Sequence, residues 1–460
     1  MNKLLSFVIP RKNLLSRLDV SFYHSPLVDE FLDICNKKKI ELINFGKYIE
    51  KMKRYPNFYN IPYVPEGVPC LRVESVDMDG DIDYKHIDYI PGIIHTQFPG
   101  THLEENDMIM AVRGHTVGKV ALIPKDLEGG NISPNLIRIK LKDIVPKFTK
   151  HFLLSKYGKA QIDRLKSGSL QYTITEPDIK SIKIPEISET RQEEIINSIK
   201  EYEELKLKYK KDYENHLLNL TQILKINIKI INEEIFSVNK SDIIDRIDCF
   251  SLSPQYKHLT NDLRKLKNHD LSSSKDLNIV KPMNKEKYKE LAVKEFKYIE
   301  VKNASKLPNF IDGYSEDVLI SLPSRARQIV KENDVLLPRP IGSSEKISIV
   351  PKDLDGHLCS TGFIVIRSKD YDEACLLALV LKSPFVQRQI FNLQSGCIQP
   401  EITPTDFKKV ILPIPKDKKE GLINKFKEEM QLAEEANTAY LENKKKSREV
   451  FLEELFKVNN

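Results

Sequence analysis

The chain has 460 residues, 40% of them apolar and 30% charged, and a formal net charge of +6, a composition typical of a folded protein of two or three domains rather than a disordered chain. Its longest evident apolar run, residues 374–381, is far shorter than the roughly 18–20 residues that span a bilayer, and the apolar stretch before Pro10 is too short for a secretion signal. The six cysteines form no CxxC pair, which favours free thiols in a reducing cytosol over a disulfide framework or a zinc site.

The positive charge is unevenly distributed. Residues 186–236 carry eight basic and eleven acidic residues, and residues 416–460 carry ten of each. The other 364 residues therefore hold a net charge of +9. We expect an anionic partner to contact those parts of the chain.

Short apolar runs broken by Pro, Asp and Asn predict two mixed regions. In the first, residues 70–76 and 135–141 are typical of strands and residues 149–165 of a helix. In the second, residues 296–301 and 362–367 are again typical of strands. Both regions are therefore predicted as α+β.

A long helix is predicted after each mixed region. Residues 186–253 contain neither Gly nor Pro, the strongest breakers of regular structure, and neither do residues 422–460. Apolar residues recur three, four or seven positions apart in both stretches, among them Ile195, Ile199 and Leu220 in the first, which predicts one apolar stripe on each helix. We expect the first helix to contain about 45 residues, about 65–70 Å, with Ser188 or Thr190 as its N-cap.

These patterns predict four segments in chain order. They are the first mixed region (1–185), the first helical region (186–240), the second mixed region (241–415) and the second helical region (416–460).

The two halves of the chain resemble each other. Residues 105–139 align with 332–366 with twelve identities in 35 positions, and residues 160–185 align with 388–413 with eleven identities in 26. Upstream, Arg17-Leu18-Asp19 corresponds to Arg246-Ile247-Asp248. The common order and the nearly constant offset of 227 to 228 positions indicate an internal duplication.

Two equal halves related by a pseudo-two-fold axis would direct their long helices in opposite directions. We therefore expect the apolar stripes to pair as an antiparallel coiled coil. The alternative is that each stripe packs only on its own half.

Enzyme motifs are poorly represented. Residues 114–120 (GHTVGKV) have three residues between the glycines where a P-loop needs four, and Val120 stands where Ser or Thr would hold magnesium. The chain contains no GxG, so it lacks the dinucleotide fingerprint. Two similar globular regions on long helices favour instead an extended ligand with repeated features, of which duplex DNA is the commonest, with two contacts one to two turns of about 34 Å apart.

The sequence resembles a specificity subunit of a type I restriction-modification enzyme. The residues that carry the resemblance are Arg113–Lys119 (RGHTVGK), Asn131–Asn135 (NISPN), Ser167–Gln171 (SGSLQ), Ser383–Phe385 (SPF) and the long helix that follows each Pro-rich end. The resemblance covers essentially the whole chain, in the same order and twice. It departs in the second copy, where residues 342–346 (GSSEK) lack the second glycine, so we expect a different backbone course for that turn.

The resemblance implies a non-catalytic protein with two target recognition domains, each reading one half of a bipartite DNA target. The antiparallel helices would set the unread spacer. It also implies a cytoplasmic phage-defence complex with two adenine-N6 methyltransferase subunits and with restriction subunits. Adenosylmethionine, ATP and magnesium would then bind to those partners, and none to this chain.

The duplication suggests which residues contact DNA. Residues identical in both copies, such as Asp107 and Asp334, are predicted to be structural or to position phosphates, and Lys119 and Lys346 are the shared pair that we expect at a phosphate. Base-reading residues should be polar and differ between the copies. The candidates are Lys51, Lys53, Arg54, Tyr55, Arg72, Arg113 and His115 in the first copy, and Arg325, Arg327, Arg339 and Ser343 in the second.

Two other classes of protein stay open. A scaffold or decoy of a related defence system would bind methyltransferase subunits without a DNA sequence preference. An enzyme with a site assembled from distant residues would act on DNA without a partner.

Overall fold

The computed structural model describes residues 25–55, 61–168, 171–226, 252–267, 269–396 and 399–457. These residues divide into two compact units, Met1–Leu205 with Glu442–Asn460, and Lys206–Leu441. This division passes through both long helices, and the four segments predicted from the sequence stay a prediction. The paired landmarks at 17–19 and 246–248, and Ser169 and Leu170 of the SGSLQ motif, lie outside the described residues.

The first unit mixes short strands and helices. Its strands are β1 (Leu42–Asn44), β2 (Ile49–Arg54), β3 (Val68–Leu71), β4 (Asp88–Ile90), β5 (Met108–Ala111), β6 (Val120–Leu122), β7 (Asn131–Ile132), β8 (Leu136–Leu141) and β9 (Lys183–Pro185). Its helices are α1 (Pro26–Lys38), α2 (Gly92–Gln97), α3 (Pro146–Leu154), α4 (Lys156–Leu165) and α5 (Glu176–Ser181), followed by the long helix α6 (Glu189–Gln222). The strands pair in the orders β2-β8-β5-β6, β4-β3-β7 and β1-β9, with β3 and β7 parallel.

The second unit repeats this plan. Its strands are β10 (His269–Ser273), β11 (Glu295–Ile299), β12 (Ser315–Val318), β13 (Ala326–Ile329), β14 (Val335–Pro338), β15 (Ser348–Ile349), β16 (Leu358–Ser360), β17 (Phe363–Ile366) and β18 (Ile411–Pro415). Its helices are α7 (Pro254–Arg264), α8 (Lys285–Glu290), α9 (Tyr371–Lys382), α10 (Pro384–Asn392) and α11 (Pro404–Phe407), followed by the long helix α12 (Lys419–Leu455). The strand orders are β15-β14-β17, β12-β11-β16-β13 and β10-β18, with β11 and β16 parallel. The predicted α+β class is confirmed.

The long helices are shorter than expected, with 34 residues in α6 and 37 in α12. Ser188 is the N-cap of α6, because its Oγ accepts a hydrogen bond from the Arg191 backbone N–H at 3.3 Å. Just beyond the end of α6, Ile223 and Leu224 are both buried in the core of the second unit.

Within the first unit, α6 and α12 run antiparallel. Arg191 Nη2 donates to the Glu454 backbone carbonyl at 2.7 Å, and Ser447 Oγ donates to the Glu203 carboxylate. Residue numbers therefore rise along one helix as they fall along the other. The predicted stripe residue Ile195 is 1% exposed.

Within the second unit, the other parts of the two helices also meet. His216 Nδ1 lies 2.8 Å from Glu429 Oε2, and the stripe residue Leu220 shares a core cluster with Phe426. In the first unit, Phe451 packs against Phe148 with ring centroids 5.6 Å apart. Because Phe451 follows the second copy in the chain, the alternative that each stripe packs only on its own half is wrong.

Side-chain bridges repeat at equivalent positions of the two units. Gln161 donates to the carbonyl of Lys183 at 3.0 Å and accepts from its N–H at 2.8 Å. Gln389, 228 positions later, makes the same two bonds to Ile411 at 2.9 and 2.8 Å. This repetition supports the internal duplication predicted from the sequence.

Strand register extends the correspondence beyond the segments that align by sequence. Cys70 on β3 pairs with Asp88 on β4, and Tyr298 on β11 pairs with Ser315 on β12. Cys70 and Tyr298 lie 228 positions apart in the chain, and Asp88 and Ser315 lie 227 positions apart, in stretches with little sequence similarity. Equivalent positions can therefore be assigned among the described residues of each globular part.

The turn after β5 differs from the turn after β14, as expected. Gly118 has a φ of +92°, and a Cβ there would lie 2.7 Å from Ile162 Cγ2. Glu345 occupies the equivalent position in the second unit, behind a 3-10 turn over Ile341–Ser343. The buried Lys382 holds this second turn by donating from Nζ to the Glu345 carbonyl at 3.0 Å.

Among the residues described, no single helix is long and apolar enough to cross a membrane. The pair α9 and α10 meets that test only jointly, across a bend of 64°.

Candidate DNA interface

Strand β2 presents two lysines to solvent. Lys51 and Lys53 are exposed on either side of the buried Met52, because side chains alternate between the two faces of a strand. Strand β2 forms one edge of its four-stranded sheet. Lys53 lies beside Gly100, on which a Cβ would be 3.6 Å from Lys53 Cγ.

The next two candidates lie deeper in the unit. Arg54 Nε donates to the Pro134 carbonyl at 2.9 Å. Burial, and then the neighbouring charge of Arg113, lower the pKa of the Arg54 guanidinium. Tyr55 is 2% exposed and packs on Phe98 with ring centroids 4.6 Å apart. The Tyr55 ring therefore lies in the core rather than on the surface that the sequence predicts.

Arg72 and Lys119 are held by acceptors of the protein itself. Arg72 Nη1 donates to Asp88 Oδ2 at 2.8 Å, a hydrogen bond that raises the pKa of Arg72. Lys119 Nζ donates to the Val73 carbonyl at 3.2 Å. A contact with phosphate would have to replace or share these bonds, so the phosphate role of Lys119 stays a prediction.

The turn after β5 places Arg113 and His115. Its Gly114 has a φ of +110° and donates its N–H to the Tyr172 carbonyl at 2.9 Å. Arg113 is half-buried and His115 is exposed. This turn therefore brings a second cation close to Arg54, whose pKa responds to the Arg113 charge.

In the second unit, Arg325 and Arg327 correspond in character to the lysines of β2. Both are exposed and flank the buried Ala326 at the start of β13. The Arg327 guanidinium lies 5.3 Å from the centroid of the Tyr288 ring, a cation–π geometry that leaves its N–H edge open to an acceptor.

Arg339 has a different environment from Arg325 and Arg327. Its guanidinium donates to the Thr361 carbonyl at 3.0 Å, to the Ile402 carbonyl at 3.3 Å and to the Glu401 carboxylate. These three acceptors engage each of its nitrogen atoms. Arg339 thus ties three segments of the second unit together rather than presenting a free guanidinium edge to a base.

Ser343 ends the 3-10 turn of the second unit, Lys346 follows that turn, and both are half-buried. The Lys346 backbone N–H donates to the Ser343 carbonyl at 2.9 Å. The structure therefore brings them together in one turn, and their DNA contacts stay predictions.

The exposed cations Lys53 in the first unit and Arg327 in the second do not occupy equivalent positions of the two units. Met52 pairs with Ile139, and Ile279 pairs with Ile366, which makes Lys53 equivalent to Val280. By the same register, Gly100 is equivalent to Arg327.

The first unit thus has lysine beside glycine where the second has valine beside arginine. Met283, three residues after Val280, donates its backbone N–H to the Arg327 carbonyl at 2.7 Å, so these two segments adjoin in the second unit as Lys53 and Gly100 do in the first. The place of the positive charge is kept, while the strand that supplies it has changed.

Sequence reasoning missed Lys281. This exposed lysine is equivalent to Arg54, and Met283, two residues further on, donates its N–H to the Arg327 carbonyl at 2.7 Å. Lys281 therefore belongs to the same basic surface as Arg327. The sequence offers no signal for it, because residues 257–295 align poorly with the first copy.

Within the described ranges, no group of three or more His, Cys, Asp or Glu side chains is placed to hold a metal ion. The thiols of Cys35, Cys70, Cys359 and Cys375 are free and buried, and burial raises the pKa of Cys35 to about 11.

No protein-family model matches the chain. A curated relative, the specificity subunit of the type I restriction enzyme MjaVIII from Methanocaldococcus jannaschii, is 26% identical over 217 residues, which are 45% of this chain and 48% of the relative. The chain thus spans about half the length of the curated relative that it matches.

Solved structures of type I restriction-modification proteins also align with the chain. The S subunit from M. genitalium aligns over 92% of this chain and 97% of its own, at 15% identity and a TM-score of 0.41. The HsdS subunit from Thermoanaerobacter tengcongensis aligns over 91% and 97%, at 13% identity and a TM-score of 0.31. The resemblance predicted from the sequence is confirmed by the curated match: this chain is similar to a specificity subunit of a type I restriction enzyme.

Proposed function

We propose that this chain is the non-catalytic subunit that reads a bipartite DNA sequence and directs adenine-N6 methyltransferase and restriction subunits to it. Each unit would read one half of the target. The similarity to a type I specificity subunit supports this function for the half of the relative that is matched.

One observation carries the proposal. The two units repeat the same bonds at Gln161 and Gln389 but differ at the exposed cations, with Lys53 in one and Arg327 in the other. A duplicated scaffold that kept a basic surface while changing its side chains fits two readers of different sequences, since arginine and lysine positions decide which base edges accept hydrogen bonds.

The reading surface would use the exposed cations of each unit. Arg325 and Arg327 reach solvent from the start of β13, where bidentate contact to a guanine edge contributes about 1–3 kcal/mol of discrimination. Lys51 and Lys53 supply charge at the edge of β2 in the first unit. Arg339 would stabilise the second unit by hydrogen bonding to three of its residues, Thr361, Glu401 and Ile402.

The partners and cofactors follow from the proposed role. Two methyltransferase subunits, and restriction subunits in the complete complex, would bind adenosylmethionine, ATP and magnesium, and this chain would bind none of them. The complex would act on double-stranded DNA in the cytoplasm.

Single-molecule sequencing of host DNA, with the gene intact and deleted, tests the proposal. We expect the deletion to remove methylated adenines at one motif that consists of two half-sites around a fixed gap. A host that carries active methyltransferase subunits and keeps an unchanged set of methylated adenines would contradict the proposal. Purified chain that binds methyltransferase subunits without any DNA sequence preference would favour the decoy, and turnover of DNA by the chain alone would favour an enzyme.

A further inference from the structure

The second copy contains a lysine-rich segment with no counterpart of similar charge in the first. Residues 281–294 carry five lysines and two glutamates, whereas the corresponding residues 54–66 carry one arginine and one glutamate. Helix α8 lies within this segment, and its three lysines, Lys285, Lys287 and Lys289, are all exposed. This concentration of positive charge therefore belongs to the second unit.

Helix α8 packs on the second unit through Tyr288. The half-buried Tyr288 ring packs against the core cluster that includes Phe296, and its Oη donates to the Leu319 carbonyl at 3.4 Å. The N-cap is Asn284, whose Oδ1 accepts a hydrogen bond from the Lys287 backbone N–H at 2.8 Å. These contacts fix which side of the short helix faces the protein.

The lysines of α8 lie on two sides of the helix. Successive residues are about 100° apart around a helix axis, so Lys285 and Lys289 are neighbours on one side, next to Tyr288. Lys287 lies on the other side of Tyr288 and forms an ion pair with Glu290, in which Nζ and Oε1 are 3.0 Å apart. Among the residues that the structure describes, no hydrogen bond or ion pair engages the ammonium group of Lys285 or Lys289.

Arg327 connects α8 with the arginines at the start of β13. Its guanidinium lies 5.3 Å from the centroid of the Tyr288 ring. Met283, which precedes α8, donates its N–H to the Arg327 carbonyl at 2.7 Å, and Lys281 is exposed just before it. The two unpaired lysines of α8 thus extend the basic surface that includes Lys281 and Arg327.

Exposed carboxylates of the same sheet lie at its other edge. Glu316 and Asp317 are on β12, and the strand order β12-β11-β16-β13 places β12 and β13 at opposite edges. In the strand register, Glu316 is also opposite Lys297. An anion that approaches β13 therefore meets Arg325 and Arg327 rather than these carboxylates.

The two kinds of cation suit different parts of a DNA duplex. Arginine offers a planar fork that can engage a base edge, whereas the lysine ammonium is a point charge on a flexible stem. Two unpaired lysines one helical turn apart, beside arginines aimed at bases, fit the phosphate backbone next to a half-site. Contacts of this kind position the protein without reading sequence.

We propose that Lys285 and Lys289 bind the phosphate backbone of double-stranded DNA beside the half-site contacted by Arg325 and Arg327. The inference rests on the proposed function for its ligand. It adds a sequence-independent contact that the second unit alone supplies, because residues 55–65 of the first copy contain no charged side chain.

The salt dependence of DNA binding tests the inference. Affinity is measured at several salt concentrations for the full-length chain with its methyltransferase subunits, on a duplex that carries the methylated motif and on an unrelated duplex of equal length. Lys285→Gln and Lys289→Gln together should lower the slope of log affinity against log salt by about two units on both duplexes, about one for each phosphate contact. The methylated motif of the host should stay unchanged.

Two control variants separate charge from fold. Lys287→Gln removes a lysine of the same helix that is paired with Glu290, and it should leave the slope unchanged. Lys285→Arg and Lys289→Arg together keep both charges and should retain the wild-type slope. Thermal unfolding of all these variants should match the wild type, since the three side chains are exposed.

The outcomes distinguish the inference from the proposed function. A wild-type slope in the double glutamine variant would overturn the inference and leave the proposed function intact. A changed methylated motif would assign the lysines to base reading, and weaker binding of methyltransferase subunits at unchanged DNA affinity would assign them to a protein contact; either result would also overturn the inference. Equal wild-type affinity for the two duplexes would contradict the proposed function alone, and no binding to either duplex would overturn both.

Discussion

Lys382 lies at the end of α9 with 5% of its surface exposed, and its Nζ donates to the carbonyls of Lys306 at 2.7 Å and Glu345 at 3.0 Å. Burial lowers the pKa of this ammonium to about 7, with the Lys306 charge also lowering it and Glu345 opposing. The first unit has Leu154 at the equivalent position.

This depressed pKa predicts that the second unit gains stability as the pH rises. Between pH 7 and the unfolded pKa of about 10.4, the unfolded chain holds a proton on Lys382 that the folded chain has released, so the free energy of unfolding increases with pH and is flat below pH 7. The pKa difference of roughly 3.5 units corresponds to about 5 kcal/mol over the whole range, and to about 3 kcal/mol between pH 7 and pH 9.5.

Hydrogen exchange of the wild type and of Lys382→Leu, measured side by side at each pH, isolates this group from the others that titrate. Backbone amides of α9 and β14 report the second unit, and those of α3 and β5 in the first unit are the internal control. We expect the stability of Lys382→Leu relative to wild type to fall by about 3 kcal/mol from pH 7 to pH 9.5 in α9 and β14. A difference that does not change with pH would refute the assignment of a neutral amine to the folded state.

Other substitutions separate structural from DNA-contacting roles. Arg339→Ala should destabilise the second unit by about 1–3 kcal/mol, since it leaves partly buried acceptors without a donor, whereas Arg325→Ala should not, as urea unfolding of both variants would reveal. Gly118→Ala should destabilise the first unit by about 1–3 kcal/mol because of its positive φ and the contact with Ile162, while Gly342→Ala, whose Cβ would meet open space, should be near neutral; equal effects in thermal unfolding would contradict this account. Lys119→Ala should weaken DNA binding evenly across sequences and lower the slope of log affinity against log salt by about one unit, and an unchanged slope in fluorescence titrations would remove Lys119 from the interface.

The duplication could be predicted because its identities lie where the fold needs them. Gln161 and Gln389 each satisfy the backbone of a neighbouring strand, and Asp107 and Asp334 each pair with a buried or half-buried arginine. Such residues resist change after duplication, so the sequence retains them as landmarks.

The length of α6 and the environment of the candidate residues could not be predicted from local pattern. The absence of Gly and Pro permits a helix but does not require one, and α6 ends at Gln222 although the next residues, Ile223 and Leu224, are apolar and buried. Likewise Tyr55 follows a surface strand yet turns into the core, and Arg339 finds acceptors on segments distant in sequence.

The non-equivalent positions of the exposed cations, Lys53 in the first unit and Arg327 in the second, could not be predicted from the sequence either. They depend on β13, which pairs with β16 in the second unit, whereas the equivalent residues 99–102 of the first unit form no strand. The 227-position offset and the strand register make Gly100 and Arg327 equivalent, but a glycine gives no sign of a cation at that place. A basic surface conserved in place rather than in sequence is invisible to alignment.

The central claim, that each unit reads one half of the target, is tested most directly by sequencing the methylated adenines of a host whose chain carries Arg325→Ala and Arg327→Ala together. The account predicts that one half-site of the methylated motif becomes relaxed while the other half-site and the gap are unchanged. A motif altered in both halves, or one identical to that of the wild type, would contradict it.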